Sequence, residues 1–216
     1  MNTLGVLMLD TRFPRVVGDI GNPATFDFPV RYKTVHGASP QRVVLERDPA
    51  LLRPFIDAGR ALVAEGASAI TTSCGFLVLF QQELRAALPV PVWTSSLLLL
   101  PGLPHAGVLT VDAASLGADH LRAAGVSVDT PVEGITAGCA FQQTLLQDRP
   151  TLDTHDALLQ VVRAAQRLLA RHPALTDIVL ECTNMPPYAD AVRRDTGVRV
   201  HDITTLIGER FHALPH

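Results

Sequence analysis

Two of the three cysteines in this 216-residue chain stand in matching surroundings. Cys74 ends the run Ile70-Thr-Thr-Ser-Cys74-Gly, and Cys182 ends Ile178-Val-Leu-Glu-Cys182-Thr. Each thiol follows a short apolar run that reads as a strand and precedes a segment that reads as a helix. In open parallel α/β sheets, ligands collect beyond the carboxyl ends of the strands. A helix N-terminus there offers unpaired N–H groups and partial positive charge, which favour a thiolate and bind a carboxylate. A free thiol titrates near about 8.5, so lowering it by about one or two units brings it to neutrality. Two such thiols facing across one cleft suit a base on one face and an acid on the other. That is the chemistry of inversion at a carbon beside a carboxylate, with hydroxyls and N–H groups steadying the enolate.

The flanking residues suit such a site. Thr72 and Ser73 supply hydroxyls before the first thiol, and Gly75 after it lets a ligand approach the backbone. Thr183 and Asn184 are short polar groups after the second, and Pro186-Pro187 marks the start of a helix. Glu181 reads as a salt-bridge or helix-end residue, with tuning of the neighbouring thiol or assistance as an acid as the alternative, and Cys139 as a packing residue. Asp10 reads either as a cap on the following turn or as part of the site. The segment Thr11–Pro29 is long enough for a binding loop, in which Arg12 and Arg15 are placed to meet a second carboxylate or remain solvated.

The elements that must position these groups follow from periodicity. Apolar runs at Leu4–Leu9, Ala69–Ser73, Val90–Thr94, Gly107–Val111, Asp177–Glu181 and Val198–His201 read as buried parallel strands. They alternate with helices expected over Pro49–Glu65, Phe76–Ala87, Ala113–Ala124, His155–Arg171, Pro187–Asp195 and Thr204–Ala213. Asp48-Pro49 and either Asp153 or Thr154 supply N-caps, Gly66 a stop, and Asp112 a cap for the helix beginning at Ala113. On the long helix, Leu158, Leu159, Val162, Ala165 and Leu169 form the expected apolar face.

The chain also repeats itself. Gly5-Val-Leu-Met-Leu-Asp10 is echoed by Gly107-Val-Leu-Thr-Val-Asp112, in the same order and at similar distance from each cysteine. The pattern predicts an α/β fold of two similar lobes, each a short mainly parallel sheet flanked by helices, about a pseudo-two-fold axis. The expected first lobe is residues 1–99 with the C-terminal helix 203–216, and the second is 100–202.

Composition narrows the function classes. Hydrophobic residues make up 47% and charged residues 18%, which supports a buried core. A net charge of −3 with scattered basic residues gives no nucleic-acid surface. No apolar stretch is long enough to span a membrane, no secretory signal is visible, and three widely spaced cysteines form no disulfide framework, so the expectation is cytoplasmic. No His or Cys spacing suggests a metal. Lys33 is the only lysine and lies outside any site, and no Gly-rich phosphate loop exists, so pyridoxal phosphate and nucleotides are excluded and no cofactor is expected.

The paired strand-Cys-Gly and strand-Cys-Thr motifs on twin lobes resemble the aspartate/glutamate racemase superfamily, which includes hydantoin racemases, arylmalonate decarboxylases and maleate isomerases. The resemblance implies that Cys74 and Cys182 are catalytic thiols and that Asp10 lies near one of them. It implies that Ser73, Gly75, Thr110 and Thr183 hold a substrate carboxylate, and that the protein works without cofactor as a homodimer. Two motifs depart from glutamate racemases: Cys182-Thr183-Asn184 stands where they carry Cys-Thr-His, and the turn after Asp10 lacks their Gly-rich sequence. The expected activity is a cofactor-independent racemase or epimerase, an isomerase acting on a small amino acid or related carboxylate. The alternatives are a decarboxylase or cis-trans isomerase of the same superfamily, or a non-catalytic small-acid binding protein.

Overall fold

The computed structural model describes residues 2–215. It contains two four-stranded parallel sheets built to the same plan. In the first, β1 (Leu4–Leu9) lies between β2 (Val30–Val35) and β3 (Ala69–Thr72), and β4 (Val92–Trp93) completes the order β2-β1-β3-β4. In the second, β5 (Ala106–Thr110) lies between β6 (Val132–Gly134) and β7 (Asp177–Leu180), with β8 (Arg199–His201) outermost, in the order β6-β5-β7-β8.

Strands β3, β5 and β7 are buried along their whole length, as their apolar runs require when helices cover both faces. The helices are α1 (Leu52–Ala64), α2 (Gln81–Ala87), α3 (Ala118–Ala123), α4 (Ala140–Leu146), α5 (Thr154–Arg171), α6 (Ala189–Thr196) and α7 (Ile203–Phe211). None is long and apolar enough to cross a membrane, among the described residues.

The echoed glycines have a common packing reason. A Cβ on Gly5 would meet Ile70 Cδ1 at 2.6 Å and Leu62 of α1 at 3.1 Å. One on Gly107 would meet Leu168 of α5 at 2.9 Å. In each lobe a leucine near the end of a covering helix rests on the bare backbone of the central strand.

Helix α7 crosses back to the first sheet, where Ile203, Leu206, Ile207 and Phe211 pack with Leu4, Val6, Ala69 and Trp93. Its start is firmly set: the Asp202 carboxylate accepts from Thr204 N at 2.8 Å and Thr205 N at 3.1 Å.

Several elements differ from the sequence reading. Strand β2 was not expected, because its edge position leaves Arg31 and Thr34 exposed and no continuous apolar run forms. Strand β6 is three residues long, and its buried Glu133 is held by Arg167 at 3.1 Å and Arg171 at 2.7 Å. Helix α3 begins at Ala118 rather than Ala113, since Asp112 accepts from the Ser115 hydroxyl at 2.6 Å and closes a local turn instead of capping a helix. Cys139 caps the unexpected α4, its Sγ accepting from Gln142 N at 3.4 Å. The buried face of α5 centres on Ala157, Val161, Ala164, Ala165 and Leu168, while Leu158, Val162 and Leu169 are partly covered.

Candidate active site

Equivalent backbone bonds deliver the two thiols to one place. Ser73 N donates to Leu7 O at 2.9 Å in the first lobe, and Glu181 N donates to Leu109 O at 2.8 Å in the second. Each bond extends the sheet by one residue, so each cysteine leaves at the carboxyl end of its sheet. The lobes are joined at this level. Thr183 Oγ1 donates to Ser73 O and Ser96 Oγ donates to Leu180 O, both at 2.7 Å. A Cβ on Gly75 would fall 2.3 Å from Glu181 Oε1 and 2.4 Å from Glu181 O, so the absence of a side chain is what lets the strand ends meet.

A small cavity of about 30 Å³ opens between them. Cys74, Cys182, Ser73, Gly75, Thr183, Asn184 and Glu181 form its polar end. Leu9, Phe13, Val44, Phe76, Val111 and Leu145 make much of the apolar remainder.

Not every expected residue comes to this wall. Asp10 stays half-exposed, accepting from Gly37 N at 3.0 Å, which is its turn-capping role. Arg12 points into solvent and pairs with Asp148 across the lobes at 3.1 Å. Thr110 sits one layer behind, donating to Glu181 Oε2 at 2.7 Å. Ser73 Oγ accepts from Leu9 N at 2.9 Å, and the Thr183 hydroxyl proton is committed to Ser73 O.

Three polar groups at the site carry more than the sequence suggested. Asp19, 2% exposed, is paired with Arg15 at 2.9 Å and accepts from Asn184 Nδ2. Asn184 Oδ1 in turn faces Cys182 Sγ at 3.6 Å. Arg15 is therefore neither solvated nor free for a substrate anion. Glu181 makes no salt bridge: its carboxyl is fully buried, Oε2 is held by Thr110, and Oε1 has no partner among the described residues. Its one sequence signal was its place between a buried strand and a cysteine.

Electrostatics reverse the expectation of lowered thiol pKa values. Burial, reinforced by the Glu181 carboxyl, pushes Cys74 up to about 12 and Cys182 well above its ordinary range. The two are not equivalent. The N–H groups of Phe76 and Leu77 and the Arg15 charge favour the Cys74 thiolate, although its Sγ accepts no capping hydrogen bond. The Asn184 N–H favours the Cys182 thiolate in the same way, but its Sγ faces the Asn184 amide oxygen, and Cys74 and Asp19 add further like charge. Burial likewise pushes Glu181 up to about 8, so it holds its proton at neutral pH.

No protein-family model matches the chain. It is 34% identical over 214 residues to a dimethylsulfoniopropionate lyase of Durusdinium sp. clade D, covering 93% of this chain and 71% of that protein. It is 33% identical over 231 residues to dimethylsulfoniopropionate lyase 7 of Emiliania huxleyi, covering 98% of this chain and 67% of that one. Among solved structures, allantoin racemase from Klebsiella pneumoniae superposes with a TM-score of 0.70 at 15% identity, over 99% of this chain and 87% of that one. Unliganded arylmalonate decarboxylase does so with a TM-score of 0.62 at 18% identity, over 93% and 87%. The fold is that of the aspartate/glutamate racemase superfamily. The racemase and isomerase expectation is overturned by the sequence relatives, which are lyases. Two opposed thiols and a fold shared with both racemases and decarboxylases did not distinguish inversion from bond cleavage.

Proposed function

This chain belongs to the dimethylsulfoniopropionate lyase family, and we propose that it is a carbon–sulfur lyase acting on dimethylsulfoniopropionate or a close β-sulfonium carboxylate. The observation that carries this reading is identity of 34% and 33% across nearly the whole chain to relatives of that activity.

The site suits an elimination. A base removes a proton from the carbon next to the carboxylate, the electron pair forms the carbon–carbon double bond, and the carbon–sulfur bond breaks with its pair going to sulfur. The products are dimethyl sulfide, acrylate and one proton, which passes through the base to solvent. Apolar walls at Leu9, Phe13, Phe76, Val111 and Leu145 match two S-methyl groups, and an aromatic face attracts a sulfonium charge.

The same charge offsets the unfavourable thiol ionisation. A cation about 4 Å from a thiolate contributes about 4 kcal/mol at an effective dielectric of about 20, or about three pKa units. That opposes the upward shift of Cys74, and a protonated Glu181 adds no opposing charge. Cys74 is assigned as the base because the Arg15 charge favours its thiolate, whereas Cys182 faces Asn184 Oδ1 and has the like charge of Asp19 beside it. The site needs reduced thiols, and all three cysteines are free, which favours a reducing compartment such as the cytoplasm.

The test is headspace gas chromatography of purified protein mixed with dimethylsulfoniopropionate, with acrylate followed by proton NMR. Equimolar dimethyl sulfide and acrylate are expected. Unchanged substrate with enzyme at micromolar concentration would refute the reading.

A further inference from the structure

We propose that Glu181 is a carboxylate-binding residue: standing as a neutral acid on the cavity wall, it donates the Oε1 proton to the carboxylate of the substrate. The inference deepens the lyase reading and rests on it for the identity of that substrate.

The geometry leaves Glu181 few other roles. Its carboxyl is fully buried, yet no cation pairs with it among the described residues; the Arg15 guanidinium is closed on Asp19 instead. Thr110 donates to Oε2 and so fixes that oxygen as the acceptor. Oε1 is left without a partner, against Gly75, which lines the same cavity as Glu181. A buried polar atom without a partner costs about 1–3 kcal/mol; Oε1 lies beneath Gly75, and a ligand oxygen that displaces this turn from the wall would satisfy it. The equivalent residue in the first lobe is Ser73, whose Oγ is engaged by Leu9 N. The acid therefore marks one side of an otherwise twofold cleft, and the missing side chain at Gly75 makes room for it.

The chemistry requires such a group. Removing a proton beside a carboxylate builds a second negative charge onto that group, which a neutral donor stabilises and an ionised carboxyl opposes. The titratable groups near Glu181 are Cys74 beyond β3 and Cys182 beyond β7, with the Arg15–Asp19 pair beyond β1 and His120 of α3 behind Phe76. Burial holds both thiols above neutrality and His120 down at about 4, whereas it raises Glu181 to about 8.

Acrylate binding by calorimetry from pH 6 to 9.5, together with dimethyl sulfide release, tests the assignment. Wild-type affinity for acrylate is expected to weaken about ten-fold per pH unit above about 8. Glu181→Gln keeps the acceptor for Thr110 and supplies an N–H donor, so it should retain kcat/KM within about ten-fold and lose that pH dependence. Glu181→Leu should raise KM and lower kcat/KM by about 100-fold or more. Thr110→Val removes a bond that stabilises the anion, so it should move the decline to higher pH. Glu181→Gln as inactive as Glu181→Leu would identify a base rather than a donor and overturn the proposal. Wild-type acrylate binding that is flat through pH 8 would overturn it as well. The wild-type and Glu181→Gln binding profiles decide the matter even if Glu181→Leu fails to fold. Absence of dimethyl sulfide from the wild type refutes the lyase reading separately, while acrylate binding still judges Glu181.

Discussion

At Cys74 and Cys182 the same burial acts on both thiols, and the charges and acceptors around them separate their roles. The Arg15 charge favours a Cys74 thiolate, whereas Cys182 faces the Asn184 amide oxygen, an acceptor, as a thiol needs. An elimination takes one proton and returns none to carbon, so the two losses should differ. Cys74→Ala is expected to lower dimethyl sulfide release by about 10²–10⁴-fold, and Cys182→Ala by less. The reverse order in steady-state rates would move the base to Cys182. Both thiols were legible in the sequence because each ends a run with the same register. Asp19 was not: it lies in an irregular loop, and only folding brings it to Asn184.

At the scale of elements, the junction of β3 and β7 decides the site. Gly75 of one lobe lies directly against Glu181 of the other, with both backbone and side chain in the way of any Cβ. Gly75→Ala is therefore expected to cost about 1–3 kcal/mol through overpacking and to lose most activity, since the cavity walls separate. Chemical denaturation would measure the first effect. A fully stable and active alanine variant would show that this contact yields without consequence. The sequence offered Gly75 only as a place for close ligand approach, whereas its nearest neighbour is the opposite lobe. Strands with continuous apolar runs were legible almost to the residue, while β2 and β6, polar and at sheet edges, lacked that signal. The repeated glycines at positions 5 and 107 were visible as a pattern, but their reason lies in Leu62 and Leu168 from covering helices.

Across the whole molecule, the cavity lies between lobes that also meet away from the thiols. Asp148 accepts from the backbone of Arg12 at 2.6 Å and of Phe13 at 3.2 Å, besides pairing with the Arg12 side chain. Phe13 and Leu145 both line the cavity, so this contact holds two of its walls together. Exposed pairs contribute up to about 1 kcal/mol, which is about five-fold in an opening equilibrium. Asp148→Ala is accordingly expected to speed alkylation of Cys74 about five-fold, with a rise in KM. Unchanged labelling, followed by mass spectrometry, would mean that the cavity opens elsewhere.

The buried strands, the twin lobes and the pair of strand-end thiols were determined by the sequence itself, because apolar periodicity and local capping act over a few residues. Which groups share the cavity was decided only by the tertiary structure. Asp10 and Thr110 end equivalent central strands, yet one closes a turn on Gly37 and the other supports Glu181 from behind. The state of each titratable group was likewise unreadable beforehand, since burial between two lobes raises the thiols where a helix terminus alone would lower them. That burial arises from contacts between residues more than a hundred positions apart, such as Thr183 on Ser73, which no local pattern encodes.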